Sequence, residues 1–351
     1  MKRRTVNALR ILALVVAVTC IALFAPLNAL FIYLAPQSET IQTELNRAVE
    51  HGIAGMVVYV DEGNDAPAKS YAAGWHNKQT GQPAQSDALF KIASVSKLYV
   101  AAAVTRLAAR GQLNLDTTLL EYLPEQAARI THAGEVTLRM LVQHRSGIVN
   151  YTDDPAYDWF APFDSASVTH KSLALVYDKP ALFAPGEDYA YSNTNYLLLG
   201  RIMDKTLGYR YQDYIRTEFL TPLGLNNTFD DLSQVSAQRL MSGYVSGYDE
   251  DLKRLAFVSP AGAMVATAKD VAAFLRALNN GSLFTAEEQA LYTTLYVNSH
   301  DGWLPGYLSF ARYHEPSDTV VVIFASTSGD SQWLIGDIIY RRIINMLEES
   351  R

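Results

Sequence analysis

The chain has 351 residues, 49% of them apolar and 19% charged, a balance that excludes a disordered protein and allows a large core. A formal net charge of −7 with dispersed Lys and Arg excludes a nucleic-acid partner, because phosphate binding needs a basic face. The single cysteine, Cys20, leaves no disulfide framework, and seven scattered histidines without a His-Glu-x-x-His spacing give no metal site; no cofactor is expected.

Residues 1–37 differ in kind from the rest. Lys2, Arg3, Arg4 and Arg10 precede an apolar stretch from Ile11 to Leu34, with no acidic residue before Glu39. Basic residues ahead of an apolar span keep a short N-terminus in the cytoplasm and send the remainder across. About 24 helical residues at about 1.5 Å each reach roughly 36 Å, more than a hydrocarbon core of about 30 Å. A small-x-small cleavage site is poor here, Leu27-Asn28-Ala29 offering one small residue. The expectation is an uncleaved single-pass anchor in the cytoplasmic membrane with the bulk of the chain outside, the alternative being a cleaved signal and a secreted protein. Residues 38–351 carry no Gly-, Ser- or Pro-rich divide and read as one domain.

Within that domain, Ser38 and Thr40 can cap a helix whose stripe is Ile41, Leu45, Ala48 and Val49, with Gly52 ending it. Met56–Val60 and Lys69–Trp75 read as a hairpin about a turn at 61–65. Ser94-Val95-Ser96-Lys97 then opens an apolar helical run. Positions i and i+3 share a helix face, so the Lys97 amine lies beside the Ser94 hydroxyl. A serine is inert at neutral pH until a neighbouring base takes its proton, which is what makes the pair a candidate nucleophile and activator. By itself the tetrad is equally a cap and a solvated lysine.

Residues 114–208 read as mostly helical, with a helix at 136–142 before the His144-Arg145-Ser146-Gly147 turn. The loop Pro185-Gly186 through Tyr191-Ser192-Asn193 runs into a helix near Thr194 and can present a phenol and an amide to a cleft. Tyr296-Val297-Asn298 repeats that spacing without the Pro-Gly turn and is discounted. Thr267 and Asp270 predict a capping box for a helix to about Leu278. His300-Asp301-Gly302 precedes Trp303, and a glycine there lets a substrate approach a strand edge; His132-Ala133-Gly134 shows that the spacing also arises by chance. Gly306–Tyr313 and Thr319–Ala325 predict a hairpin about Glu315-Pro316-Ser317-Asp318. A last helix buries Trp333, Ile335, Ile338, Ile339, Ile343 and Leu347. The resulting fold class is α+β: an antiparallel sheet with terminal helices on one face and a mostly helical lobe on the other.

The three motifs, in this order, resemble the penicillin-recognising serine hydrolases: class C β-lactamases, D-alanyl-D-alanine carboxypeptidases and their esterase relatives. Phe90-Lys91-Ile92-Ala93, Leu141–Gly147, Pro222-Leu223-Gly224 and Ala261-Gly262 are similar to segments that family places alongside them. The resemblance implies Ser94 as nucleophile, with Lys97 and Tyr191 sharing proton transfer. It further implies that Asn193 orients the substrate, that His300-Asp301-Gly302 stands where the β-lactamases have Lys-Thr-Gly, and that the Ser94 and Trp303 amides hold the oxyanion. His144 is implied to be structural. The expected substrate is a small molecule or peptide: a D-alanyl peptide of the cell wall, an ester or a β-lactam, with His300 in place of lysine favouring peptidase or esterase chemistry. A catalytically inactive, membrane-tethered binding protein is the alternative. The interval between Leu278 and His300 is shorter than the family leads one to expect, and an edge of the cleft is expected to be missing or reshaped.

Overall fold

The computed structural model describes residues 26–63, 66–160 and 171–350, together with Asn7, 10–16 and Thr19 of the N-terminal segment. Its centre is a six-stranded sheet in the order β3-β2-β1-β6-β5-β4 with antiparallel pairing between all neighbours. The strands are β1 (Gly55–Asp61), β2 (Lys69–Asn77), β3 (Gln82–Pro83), β4 (His300–Leu304), β5 (Tyr307–His314) and β6 (Thr319–Ala325). Sequence-distant β1 and β6 pair in the middle, Met56 opposite Ala325, so both ends of the chain build one sheet.

Side chains alternate across a strand, and here the alternation sorts the sheet between two cores. Met56, Val58 and Val60 with Val321, Ile323 and Ala325 face the terminal helices, α1 (Leu27–Leu34), α2 (Ile41–Glu50) and α8 (Asp330–Glu349). Val57, Val320, Val322 and Phe324 face the larger helical lobe. In that lobe α3 (Ser96–Ala109) is central, with α4 (Leu138–Val142), α5 (Asn193–Leu207), α6 (Ala268–Asn279) and α7 (Ala286–Leu295) around it. Among the described residues, 114–208 contributes no strand longer than an isolated bridge between Thr118 and Thr137, as the sequence reading expected. Gly336 of α8 lies against the Phe310 ring, where a Cβ would come within 2.3 Å, so this helix seats on the sheet only with glycine there.

Local signals set most boundaries. Thr40 caps α2 by accepting from the Thr43 amide, and Ile41, Leu45 and Ala48 are buried. Thr267 caps α6 from the Asp270 amide, but the reciprocal half of the expected box is absent: the Asp270 carboxylate takes the Asn227 amide and the Thr228 hydroxyl instead. The full box stands on α7, where Thr285 and Glu288 satisfy each other's amides.

The short interval before His300 is filled by a helix, α7, packed on α3, and the sheet ends at β4. One expectation is corrected. The apolar stretch Ile11–Leu34 is not one uninterrupted helix: Pro26 is non-helical and α1 starts after it, with Ala29 and Ile32 buried against the body. Residues 17, 18 and 20–25, Cys20 among them, lie outside the described residues, as do Asn64 and Asp65 of the expected turn. Among the described residues no helix is long and apolar enough to cross a membrane. The Arg342 guanidinium of α8 clasps the end of α1, donating to the Ile32 and Ala35 carbonyls at 2.6 Å each and to buried Glu44 at 2.8 Å.

Candidate active site

In the run from 88 to 107 every residue is buried except Ser94. It sits in a 3-10 turn, Ala93–Val95, that leads into α3. Ala93 has φ +50°, a left-handed conformation that costs an alanine about 1–3 kcal/mol unless its surroundings hold it. They do: its carbonyl accepts from the Ser96 hydroxyl at 2.7 Å, and that hydroxyl accepts from the Met264 amide. The turn thereby lifts the Ser94 side chain out of an otherwise closed helix.

Lys97, one turn later, is fully buried. Its Nζ lies 3.1 Å from Ser94 Oγ, 2.8 Å from Asn193 Oδ1 and 2.7 Å from the Ala261 carbonyl. The Tyr191 and Tyr196 rings flank it at 4.8 and 5.5 Å. Burial holds its pKa well below that of an ordinary lysine, because desolvation penalises the ammonium. A neutral amine has two N–H groups and one lone pair. Asn193 Oδ1 and the Ala261 carbonyl can only accept, so they fix the two N–H groups and leave the lone pair for the Ser94 hydroxyl.

Tyr191 reaches the same oxygen from the other side, its hydroxyl 2.9 Å from Ser94 Oγ. Burial pushes its pKa well above the usual phenol range, so the ring is a neutral phenol at physiological pH. His144 locates it: the Ser192 amide donates to His144 Nδ1 at 3.1 Å, and the imidazole packs on the Tyr191 ring at 4.5 Å. Burial brings His144 down to about 3. It is a neutral, structural histidine, 1% exposed.

The Asn193 carboxamide is spent within the protein, Oδ1 on Lys97 and Nδ2 on the Thr152 hydroxyl at 3.1 Å. It therefore orients the amine rather than projecting toward a substrate. Thr152 and the Ala261 carbonyl were not singled out as contacts in the sequence. Nor was Tyr196, and Tyr296 was discounted, yet Tyr296 stacks on His300 at 5.9 Å. With Tyr191, Tyr189, Arg145 and His300 it lines a cleft of about 560 Å³.

His300, Gly302 and Trp303 lie on β4, the free edge of the sheet. A Cβ on Gly302 would come within 2.6 Å of the Ile92 carbonyl and 2.9 Å of Ala93 Cβ, so glycine lets the strand press against the turn that carries Ser94. Leu304 and Tyr307 close a two-residue hairpin, and the parity of an antiparallel ladder then turns the amides of Leu304, Gly302 and His300 inward. The Trp303 amide points off the edge. His300 Nδ1 lies 2.5 Å from the Asp301 carbonyl. A carbonyl accepts only, so Nδ1 carries the proton and Nε2 remains an acceptor. Burial brings His300 down to about 3, leaving a neutral ring. Asp301 is held bidentately by Arg312, which also reaches Asp337 of α8.

The chain is similar to several known proteins. A family model described as Beta-lactamase matches residues 24–332. Penicillin-binding protein 4* of Bacillus subtilis is 29% identical over 216 residues, covering 60% of this chain and 45% of that protein. Esterase EstB of Burkholderia gladioli is 31% identical over 193 residues, covering 52% and 48%. The chain thus spans about half the length of these curated relatives. Among solved structures, D-amino acid amidase from Ochrobactrum anthropi SV3 superposes with a TM-score of 0.77 at 22% identity, over 89% of this chain and 98% of that one. A penicillin binding protein from Bacillus halodurans gives 0.74 at 21%, over 86% and 99%. At these identities the likeness establishes the fold.

Proposed function

Because the chain belongs to the Beta-lactamase family, we propose that it is a metal-independent serine hydrolase working through an acyl-enzyme on Ser94. The observation that carries this reading is the Ser94 oxygen bracketed by a desolvated amine at 3.1 Å and a phenol at 2.9 Å. Neutral Lys97 takes the Ser94 proton as Oγ bonds to the substrate carbonyl carbon. The carbonyl oxygen becomes an oxyanion facing the Ser94 and Trp303 amides. Tyr191 gives its proton to the leaving nitrogen or oxygen as that bond breaks, and Lys97, now an ammonium, gives up its extra proton to restore the Tyr191 phenol. Water then attacks the ester by the reverse relay, releasing the acid and restoring Ser94. Asn193 serves by holding the Lys97 amine.

The substrate class is an amide or ester of a small molecule or short peptide. A β-lactamase-like Lys-Thr-Gly strand offers a cation to a substrate carboxylate, whereas neutral His300 offers an acceptor, which suits a leaving group carrying a hydroxyl or N–H. This favours peptidase, amidase or esterase chemistry over β-lactam turnover, in keeping with relatives described as an esterase and an amidase. The intact Ser94, Lys97 and Tyr191 set weighs against a binding protein without turnover. We further propose that the N-terminal segment keeps the hydrolase outside the cytoplasm at the membrane. N-terminal sequencing of the protein from cells tests this; a soluble exported chain starting near Leu30 or later would refute the anchor.

The hydrolase reading is tested by intact mass after exposure to a fluorophosphonate and, separately, to a penicillin. The phosphonate should add to Ser94 and not to a Ser94→Ala variant. If neither reagent adds mass under conditions that label an active relative, the enzyme reading is abandoned.

A further inference from the structure

Proton delivery by Tyr191 gives the site a direction. The leaving group departs on the side of the Tyr191 hydroxyl, toward the cleft lined by Tyr191, Tyr296 and His300. With the carbonyl oxygen on the Trp303 amide, the acyl part of the substrate runs the other way, past the Trp303 side chain. On that side stands a cluster of rings with Trp159 at its centre. Trp303 meets Trp159 edge to face at 5.1 Å and 90°, Phe257 lies nearly parallel to it at 6.1 Å and 15°, and Tyr157 closes its far edge at 5.0 Å.

The cluster is fixed to the nucleophile at two points. Phe257 is drawn up to the Ser94 turn by Gly262, where a Cβ would come within 3.1 Å of the Phe257 ring and 3.2 Å of the Ala93 carbonyl carbon. Trp303 follows Gly302, which touches Ile92 and Ala93. The loop before Phe257 is tied down by buried Lys91, whose Nζ donates to the Leu252 and Leu255 carbonyls at 3.0 and 2.6 Å. Yet Trp303 remains 40% exposed, and Trp159 and Phe257 are only partly buried. Braced rings beside a nucleophile that keep part of their apolar surface exposed form a surface suited to another ring, which gains from edge and face contacts beyond its buried area.

We propose that Trp159, Phe257 and Trp303 form the acyl-group subsite and select substrates whose acyl part carries an aromatic ring, such as arylacetyl or aromatic aminoacyl amides and esters. The assignment rests on Ser94 being the nucleophile. Trp303 contributes its ring here and its amide to the oxyanion site, so the test leaves it intact.

The test compares p-nitrophenyl phenylacetate with p-nitrophenyl acetate on the full protein, each corrected for its rate with hydroxide. The phenylacetyl ester should lead in kcat/KM by at least tenfold, equivalent to about 1.4 kcal/mol. That ratio should fall at least threefold in Trp159→Leu and in Phe257→Leu. Benzylboronic acid should likewise inhibit the wild type at least tenfold better than methylboronic acid, a measurement that needs neither a variant nor turnover. Ratios near one in the wild type, by esters or by boronic acids, overturn the subsite, as does a ratio that both variants leave unchanged. Should the fluorophosphonate fail to label Ser94, the hydrolase reading itself falls; labelling with ratios near one removes the subsite alone.

Discussion

Replacing Lys97 by Met tests the proton relay where the structure commits most. The methionine keeps the volume of the stem but removes the amine that stands 3.1 Å from Ser94 Oγ. Its other two partners, Asn193 Oδ1 and the Ala261 carbonyl, become unpaired buried acceptors at about 1–3 kcal/mol each. Relief from burying an amine offsets part of that, so the variant should fold. Losing positioned proton transfer slows a step by about 100- to 10,000-fold, or roughly 2.7–5.4 kcal/mol. The growth of acyl- or phosphonyl-enzyme mass with time should therefore be at least about 100-fold slower. Tyr191→Phe should lose a similar factor, and the double variant should be little slower than the slower single one, because both groups act on one oxygen. Wild-type acylation should rise with pH as Lys97 loses its proton and level off well before the ordinary lysine value near 10.4, since burial lowers this amine. A normal rate in Lys97→Met, or losses that multiply in the double variant, would refute the relay.

Gly302→Ala should push β4 off the Ser94 turn, its Cβ falling 2.6 Å from the Ile92 carbonyl; acylation should drop at least about 100-fold, with overpacking costing about 1–3 kcal/mol in denaturant titration. His300→Lys should exchange an acceptor for a cation and raise penicillin acylation relative to a neutral ester by about tenfold, the scale of one charge-assisted bond; an unchanged ratio in paired kinetics would mean that this position does not meet the substrate. Arg342→Ala strips buried Glu44 of a partner and three carbonyls of a donor, and should cost about 3–5 kcal/mol in unfolding free energy while esterase kinetics at 25 °C stay the same.

The sheet and the outer helices were legible because their signals are local: a threonine cap before Ile41, apolar strands at 56–60 and 319–325 around a Glu-Pro-Ser-Asp turn, and an isoleucine stripe in α8. The paired fragments Phe90–Lys91, Thr228–Phe229 and Val265–Ala266 were not, because two residues carry no period. The nucleophile, amine and phenol were legible as motifs through a family likeness. What surrounds them was not. Thr152, the Ala261 carbonyl, Tyr296, Trp159 and Phe257 reach the site over long chain separations from unremarkable stretches. The Asp270 carboxylate likewise answers to Asn227 and Thr228, partners that a capping rule cannot see. The span at 11–34 was read from hydropathy, flanking charge and a poor cleavage site, none of which registers that Ala29 and Ile32 have a protein surface to bury against.

The free edge of β4 has a bearing on how copies of the protein treat one another. A strand that leaves amides facing outward is a template on which a neighbour's chain can extend the sheet, and such templates seed aggregation. This one is five residues long, stops at Pro305, and has the Ala93–Val95 turn crowded against Gly302. Asp301 adds a carboxylate fastened from behind by Arg312. A second chain finds too little ladder to grip, while a single carbonyl finds one amide. The shortness that leaves one amide open to a substrate carbonyl is thus also what gives a neighbouring chain little to pair with.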